Sequence, residues 1–90
     1  PGDVEIMEEE RFYVLFPNVT EGLKLEKLLK EKAVKYTIVP TPRELSKSCG
    51  ISIMYEFRDD SLIKRIAEEY GIRTEGFKSL TRKKAEVKFI

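Results

Sequence analysis

Ninety residues with 41% hydrophobic content can build one domain around one small core, and nothing approaches the ~18 consecutive apolar residues that a membrane span needs. Lys and Arg number 17 against 16 Asp and Glu, so a net charge of +1 argues against a strong whole-chain field for nucleic acid. One cysteine closes no internal disulfide and no secretory pattern is present, so the expected location is cytoplasmic.

The chain opens on the acidic run DVEIMEEE (residues 3–10) and closes near the basic run TRKKAEVK (residues 81–88). These read as a solvated N-terminal tail over 1–10 and a basic extension or edge strand over 80–90, or as segments that pair with each other or with a partner. Between them lies a core of about 11–79 within a single domain spanning 1–90.

RFYVLF (11–16) is continuously apolar after Arg11, the pattern of a central strand covered on both faces, and Pro17 ends it. TEGLKLEKLLKEK (20–32) places Leu25, Leu28 and Leu29 at i, i+3 and i+4 among charges, an amphipathic helix, with Glu26 and Lys30 spaced to pair on its outer face. VKYTIV (34–39) alternates, with Val34, Tyr36 and Ile38 on one side. ISIMYEF (51–57) alternates too, grouping Ile51, Ile53, Tyr55 and Phe57 against Ser52, Met54 and Glu56. DDSLIKRIAEEYG (59–71) begins acidic, carries Leu62, Ile63, Ile66, Ala67 and Tyr70 on one stripe, and has Gly71 where a C-terminal cap belongs. IRTEGFKSL (72–80) is a weaker strand broken by Gly76, and AEVKFI (85–90) reads as an added edge strand.

The order β-α-β-β-α-β predicts an α+β, ferredoxin-like sandwich: two helices on a four-stranded antiparallel sheet, with a further C-terminal strand as an option. That fold hosts many functions and selects none of them.

The informative stretch is PTPRELSKSCG, residues 40–50, which contains Cys49 in a chain with no histidine. Pro40 halts the preceding strand. Thr41 and Glu44 have capping-box spacing and Pro42 sits at the favoured first helical position, which predicts one short helical turn over 42–47. Gly50 then lets the chain swing into the next strand, leaving Cys49 at the exit of a tight turn. Arg43 and Lys47, four apart, would favour a thiolate, as would hydroxyls from Ser46 and Ser48, whereas a helix C-terminus would disfavour it. An inert packing cysteine stays open on these residues alone.

Absent residues narrow the chemistry. Without histidine there is no Cys-His hydrolase, without a second cysteine no C-x-x-C exchange site, and the ligands for a zinc site are lacking. The five glycines are scattered singly, so no phosphate loop forms, and RNA-binding signatures of this fold are missing. What remains is a thiol that accepts, carries or transfers a group, such as a sulfane sulfur held as a persulfide, with a partner supplying the other half of the reaction.

PTPRELSKSCG closely resembles the hallmark loop of the selenium/sulfur carrier protein-like family. The likeness runs from about Phe12 to Phe77 and includes YVLFPN, LEKLLKE, YTIVPTPRELS and EEYGI. The resemblance implies that Cys49 carries the sulfur or selenium, with loop companions at Pro40, Thr41, Pro42, Arg43, Glu44, Leu45, Ser46, Ser48 and Gly50. Lys47 departs from the small polar residue of the family, and KAVKY lacks the glycine that usually ends the first helix. Motifs of other sulfur handlers (Cys-Pro-x-Pro, a Gly-Gly C-terminus, a rhodanese-type loop) are absent.

The leading expectation is a thiol carrier rather than a stand-alone catalyst. Cys49 is its acceptor, it has no cofactor or metal, and its partners are sulfur or selenium donor and acceptor proteins rather than nucleic acid or membrane. Two alternatives stand beside it: a non-catalytic binding, regulatory or dimerisation module with a structural cysteine and AEVKFI at a homodimer edge, and a single-thiol redox sensor.

Overall fold

The computed structural model describes residues 2–46 and 50–89, with side chains over 10–46 and 50–81. The order is β1 (Gly2–Leu15), α1 (Val19–Glu31), β2 (Thr37–Pro40), β3 (Ile51–Tyr55), α2 (Asp60–Glu69) and β4 (Gly76–Phe89). The strands lie in the order β2-β3-β1-β4 with each neighbouring pair antiparallel. Two helices on a four-stranded antiparallel sheet is the expected α+β, ferredoxin-like arrangement.

Helix α1 starts where the Asn18 side chain accepts a hydrogen bond from the Glu21 N–H at 3.0 Å, satisfying one of the orphan donors of the first turn. Leu25 and Leu29 are fully buried and Leu28 half-buried, as their spacing predicts. Glu26 does not pair with Lys30 among the described residues; it accepts from the Tyr36 hydroxyl at 3.1 Å. The stripe of α2 is narrower than read: Ile63, Ile66 and Ala67 are buried, whereas Leu62 and Tyr70 are exposed.

Both helices end on the same motif. After α1, the Ala33 N–H reaches the Lys30 carbonyl (3.2 Å) and the Val34 N–H reaches Leu29 (2.9 Å); after α2, Gly71 reaches Glu68 (3.3 Å) and Ile72 reaches Ala67 (2.8 Å). This Schellman pairing needs a left-handed residue, taken by Gly71 at φ 65° and by Ala33 at φ 57°. The missing glycine in KAVKY therefore leaves the hydrogen bonding intact and puts a Cβ where glycine is favoured.

Val14, Phe16, Ile53 and Tyr55 form the sheet side of the core, packed on Leu25, Leu29, Ile63 and Ile66. Strand β3 stops at Tyr55, so Phe57 leaves the expected strand alternation for a single 3₁₀ turn (Phe57–Asp59), stacked on Phe12 at 4.9 Å yet largely exposed. Strand β2 is shorter than VKYTIV: only Thr37–Pro40 joins the ladder, although Val34, Tyr36 and Ile38 do pack on the core. Pro40 is its last residue, tolerated because β2 is an edge strand.

The largest departure concerns the charged ends. Residues 2–10 form the first part of β1 and pair in register with β4 out to Phe89, so the acidic run is strand, not tail. AEVKFI is not an additional strand: its residues 85–89 continue β4 without a break, because no glycine or proline interrupts the chain after Gly76. The register runs without a break from Gly2 opposite Phe89 to Leu15 opposite Gly76.

Candidate functional site

The sheet has two dissimilar ends. At one lie the first turns of α1, the end of α2 and the Thr41–Gly50 connection between β2 and β3. At the other, about 10 Å away along β2, lie the connections that follow α1 and β3, where the β1–β4 ribbon leaves the body.

The connection is closed at its base. The Thr41 N–H donates to the Gly50 carbonyl at 3.1 Å, extending the β2–β3 ladder one step beyond Pro40 and Ile51. Inside it, the Leu45 and Ser46 N–H groups donate to the Pro42 carbonyl at 3.0 and 3.3 Å, so Arg43–Leu45 form one tight turn. The expected helical turn is thus present in miniature. The capping box is not: Thr41 Oγ1 is buried and finds no hydrogen-bond partner, while the Thr41 N–H is tied to the Gly50 carbonyl.

Thr41, Pro42, Leu45 and Ser46 are half-buried, so this part of the connection lies against the body; Pro40, Arg43, Glu44 and Gly50 are exposed. Lys47, Ser48 and Cys49, also expected at the site, lie outside the described residues. The first turns of α1 stand against the start of β3 just beyond the loop: a Cβ on Gly22 would meet the Phe16 ring at 3.2 Å and Ile51 Cδ1 at 3.4 Å.

The sheet face away from the helices holds a residue that the alternation did not single out. Ser52, between Ile51 and Ile53, reads as an outward position, yet it is 0% exposed and its Oγ has no partner. In the ladder it sits beside Val39, and on the same face Leu15 is also buried at 1%. Burial there requires cover on the helix-free side, and the connection leaves and rejoins the sheet two residues beyond this row, at Thr41 and Gly50.

The other end carries a cleft of about 440 Å³, lined by Arg11, Phe12, Lys35, Tyr36, Tyr55 and Glu56 among others. Its ionisable groups are matched. Hydrogen bonding by Lys35 (3.0 Å), with Arg58 alongside (2.8 Å), holds the Glu56 carboxyl below its usual range. Desolvation, then the hydrogen bond to Glu26, raises the Tyr36 phenol. Beside the cleft, the Tyr55 hydroxyl donates to Asp60 at 2.5 Å and Lys64 approaches the same carboxylate at 2.8 Å. Burial, followed by the Asp60 bond, raises Tyr55; the Lys64 contact, followed by Tyr55, lowers Asp60. Every perturbed group around the cleft is accounted for by structural pairing, whereas the Thr41–Gly50 connection lies at the opposite end.

Residues 11–79 match the family described as "Putative Se/S carrier protein-like". The chain belongs to this family. The family's description names selenium or sulfur carriage. The chain is also 33% identical over 72 residues to the uncharacterized protein MJ0011 of Methanocaldococcus jannaschii, a match covering 80% of this chain and 36% of that relative. The chain thus spans about a third of the length of the relative it matches. No solved structure matches it.

Proposed function

We propose that this Se/S carrier family member holds sulfur or selenium on Cys49, as a persulfide or its selenium counterpart, and passes it between partner proteins. The observation that carries the reading is the family's own loop, closed at its base by the Thr41–Gly50 hydrogen bond and seated half-buried against the sheet. Gly50, the residue after Cys49, is held at the base of this loop, and the exposed Arg43 can meet a docking partner.

The transfer balances without an external oxidant. The Cys49 thiolate attacks the terminal sulfur of a donor persulfide, a new S–S bond forms at Cys49, and the donor cysteine leaves as its thiolate. The acceptor protein repeats the exchange and regenerates the Cys49 thiolate. Arg43 and Lys47 favour the anionic sulfur or receive acidic groups of the partner; Pro40, Pro42, Ser46, Ser48 and Gly50 shape the loop.

The test is incubation with glutathione persulfide followed by intact mass and cyanolysis. The chain should gain one sulfur that a reductant removes, and Cys49→Ser should gain none. A folded chain whose thiol refuses the sulfur would leave the ferredoxin-like domain as a binding module with a packing cysteine.

A further inference from the structure

Helix α1 sorts its charges. Its core side is Gly22, Leu25 and Leu29. Two of its glutamates are half-buried and engaged with the body. Glu21 accepts the Arg73 N–H at 3.4 Å and lies 3.8 Å from Lys24, and Glu26 accepts the Tyr36 hydroxyl at 3.1 Å. Lys27 and Lys30 are exposed and make no ion pair among the described residues. The Glu26–Lys30 pair that their spacing suggests is not formed, so positive charge that the sequence alone would cancel is left on the outer face.

Two apolar residues head the same face. Val19 and Leu23 are 46% and 49% exposed and stand one turn apart, with Lys27 one turn and Lys30 two turns beyond Leu23. About half of each apolar side chain is therefore left in water on successive turns. This apolar end is the loop end of the sheet: a Cβ on Gly22 would meet Ile51 Cδ1 at 3.4 Å, and the exposed Arg43 adds a further cation there.

We infer that the outer face of α1 is a docking surface for an acidic amphipathic helix of a partner protein, whose apolar side chains rest on Val19 and Leu23 and whose carboxylates meet Lys27 and Lys30. Charge complementarity selects the acidic partner, and the turn-by-turn spacing suits a helix that presents its anchors at the same interval. A phosphate backbone would be held by the lysines and has no use for the valine and leucine. A bilayer surface needs a longer apolar stripe than two residues. The inference goes beyond the carrier reading and does not use Cys49.

The test is an anisotropy titration of the full chain against a fluorescein-labelled synthetic helix that carries two leucines one turn apart and glutamates on the next turns of the same face. The chain should bind this peptide, and added salt should weaken the binding. Replacing Lys27→Gln and Lys30→Gln together should weaken it about tenfold, and Leu23→Ala roughly threefold. Glutamine keeps the helix propensity of lysine and all three side chains are exposed, so circular dichroism should match the parent. Arg65→Gln, at an exposed cation of α2, should bind as the parent does. A peptide of the same composition in scrambled order should bind no better to the parent than the ordered peptide binds to the double variant. Absence of binding, equal binding of the scrambled peptide, or an equal loss in Arg65→Gln would overturn the docking face. Tighter binding of oligouridylate, lost with the lysines and indifferent to Leu23→Ala, would overturn it in favour of nucleic acid. Self-association of the unlabelled chain by light scattering, abolished by the same variants, would overturn it in favour of a second copy. None of these readouts involves the thiol, so the docking face and the carrier reading fail separately.

Discussion

The two ends of the sheet differ in how their polar groups are satisfied. At the ribbon end the charged and aromatic groups are mutually satisfied: Lys35 and Arg58 on Glu56, Tyr36 on Glu26, Tyr55 and Lys64 on Asp60. This end has the cleft of about 440 Å³, and its perturbed groups sit in structural pairs. At the loop end, among the described residues, a hydrogen bond ties the backbone at its base and two buried hydroxyls are left without partners. The contrast teaches that a cleft can be lined by groups already satisfied by their neighbours, while the buried groups that carry the cost of an unmade hydrogen bond lie elsewhere.

Substitutions can break that contrast or sharpen it. The largest effect is expected where both ends depend on one side chain: Ile53→Ala, in the middle of β3 and 0% exposed, should lower stability by about 2–5 kcal/mol in urea unfolding. Gly22→Val comes next. Its Cβ would stand 3.2 Å from the Phe16 ring, so overpacking should cost about 1–3 kcal/mol and disturb the loop end first, visible as altered Cys49 alkylation.

Tyr55→Phe tests the ribbon end and should cost about 1 kcal/mol through the lost hydrogen bond to Asp60. It should leave Cys49 alkylation unchanged. Its pH signature follows from the two shifts. Asp60 is lowered in the folded chain, so its stabilisation is present at neutral pH and lost as pH falls through the carboxylate range. Tyr55 is raised above its ordinary 10.0, so its stabilisation holds below that value and is lost as pH climbs beyond it, where the unfolded chain ionises first. The variant should therefore lose the tyrosine contribution to alkaline destabilisation and show a shallower acid limb.

Ala33→Gly should instead stabilise, by about 0.5–1 kcal/mol, since it relieves a left-handed alanine at φ 57° while keeping the Schellman hydrogen bonds. A loss of stability would mean that Ala33 is not left-handed in solution. Lys35→Ala is the smallest: an exposed ion pair should leave the unfolding midpoint where it was and only return the Glu56 carboxyl toward its usual range by NMR titration.

Much of the scaffold was legible in the residues. Apolar periodicity located both helices and the four strands, and Gly71 marked the end of α2, because burial on one face imposes a period that a chain of this size cannot evade. The loop was legible as a motif, through PTPRELSKSCG, and the family match over 11–79 follows from it and the elements around it. Three features were not legible. Residues 2–10 and 81–89 read as charged ends because each strand alone has no partner to define it; only the register of β1 against β4 turns the acidic and basic runs into one ribbon. Thr41 and Glu44 had the spacing of a capping box, but spacing is blind to the Thr41–Gly50 hydrogen bond that keeps Thr41 in the ladder.

Ser52 is the clearest case. The sequence by itself determined the element order, the core-facing side of each element and the loop that carries Cys49, since these follow from local periodicity and a contiguous motif. Only the tertiary structure decided that the ends pair, that the cleft and the loop lie at opposite ends, and that a serine at an outward strand position is buried beside Thr41. Those outcomes depend on which segment covers which face, and no local pattern encodes that.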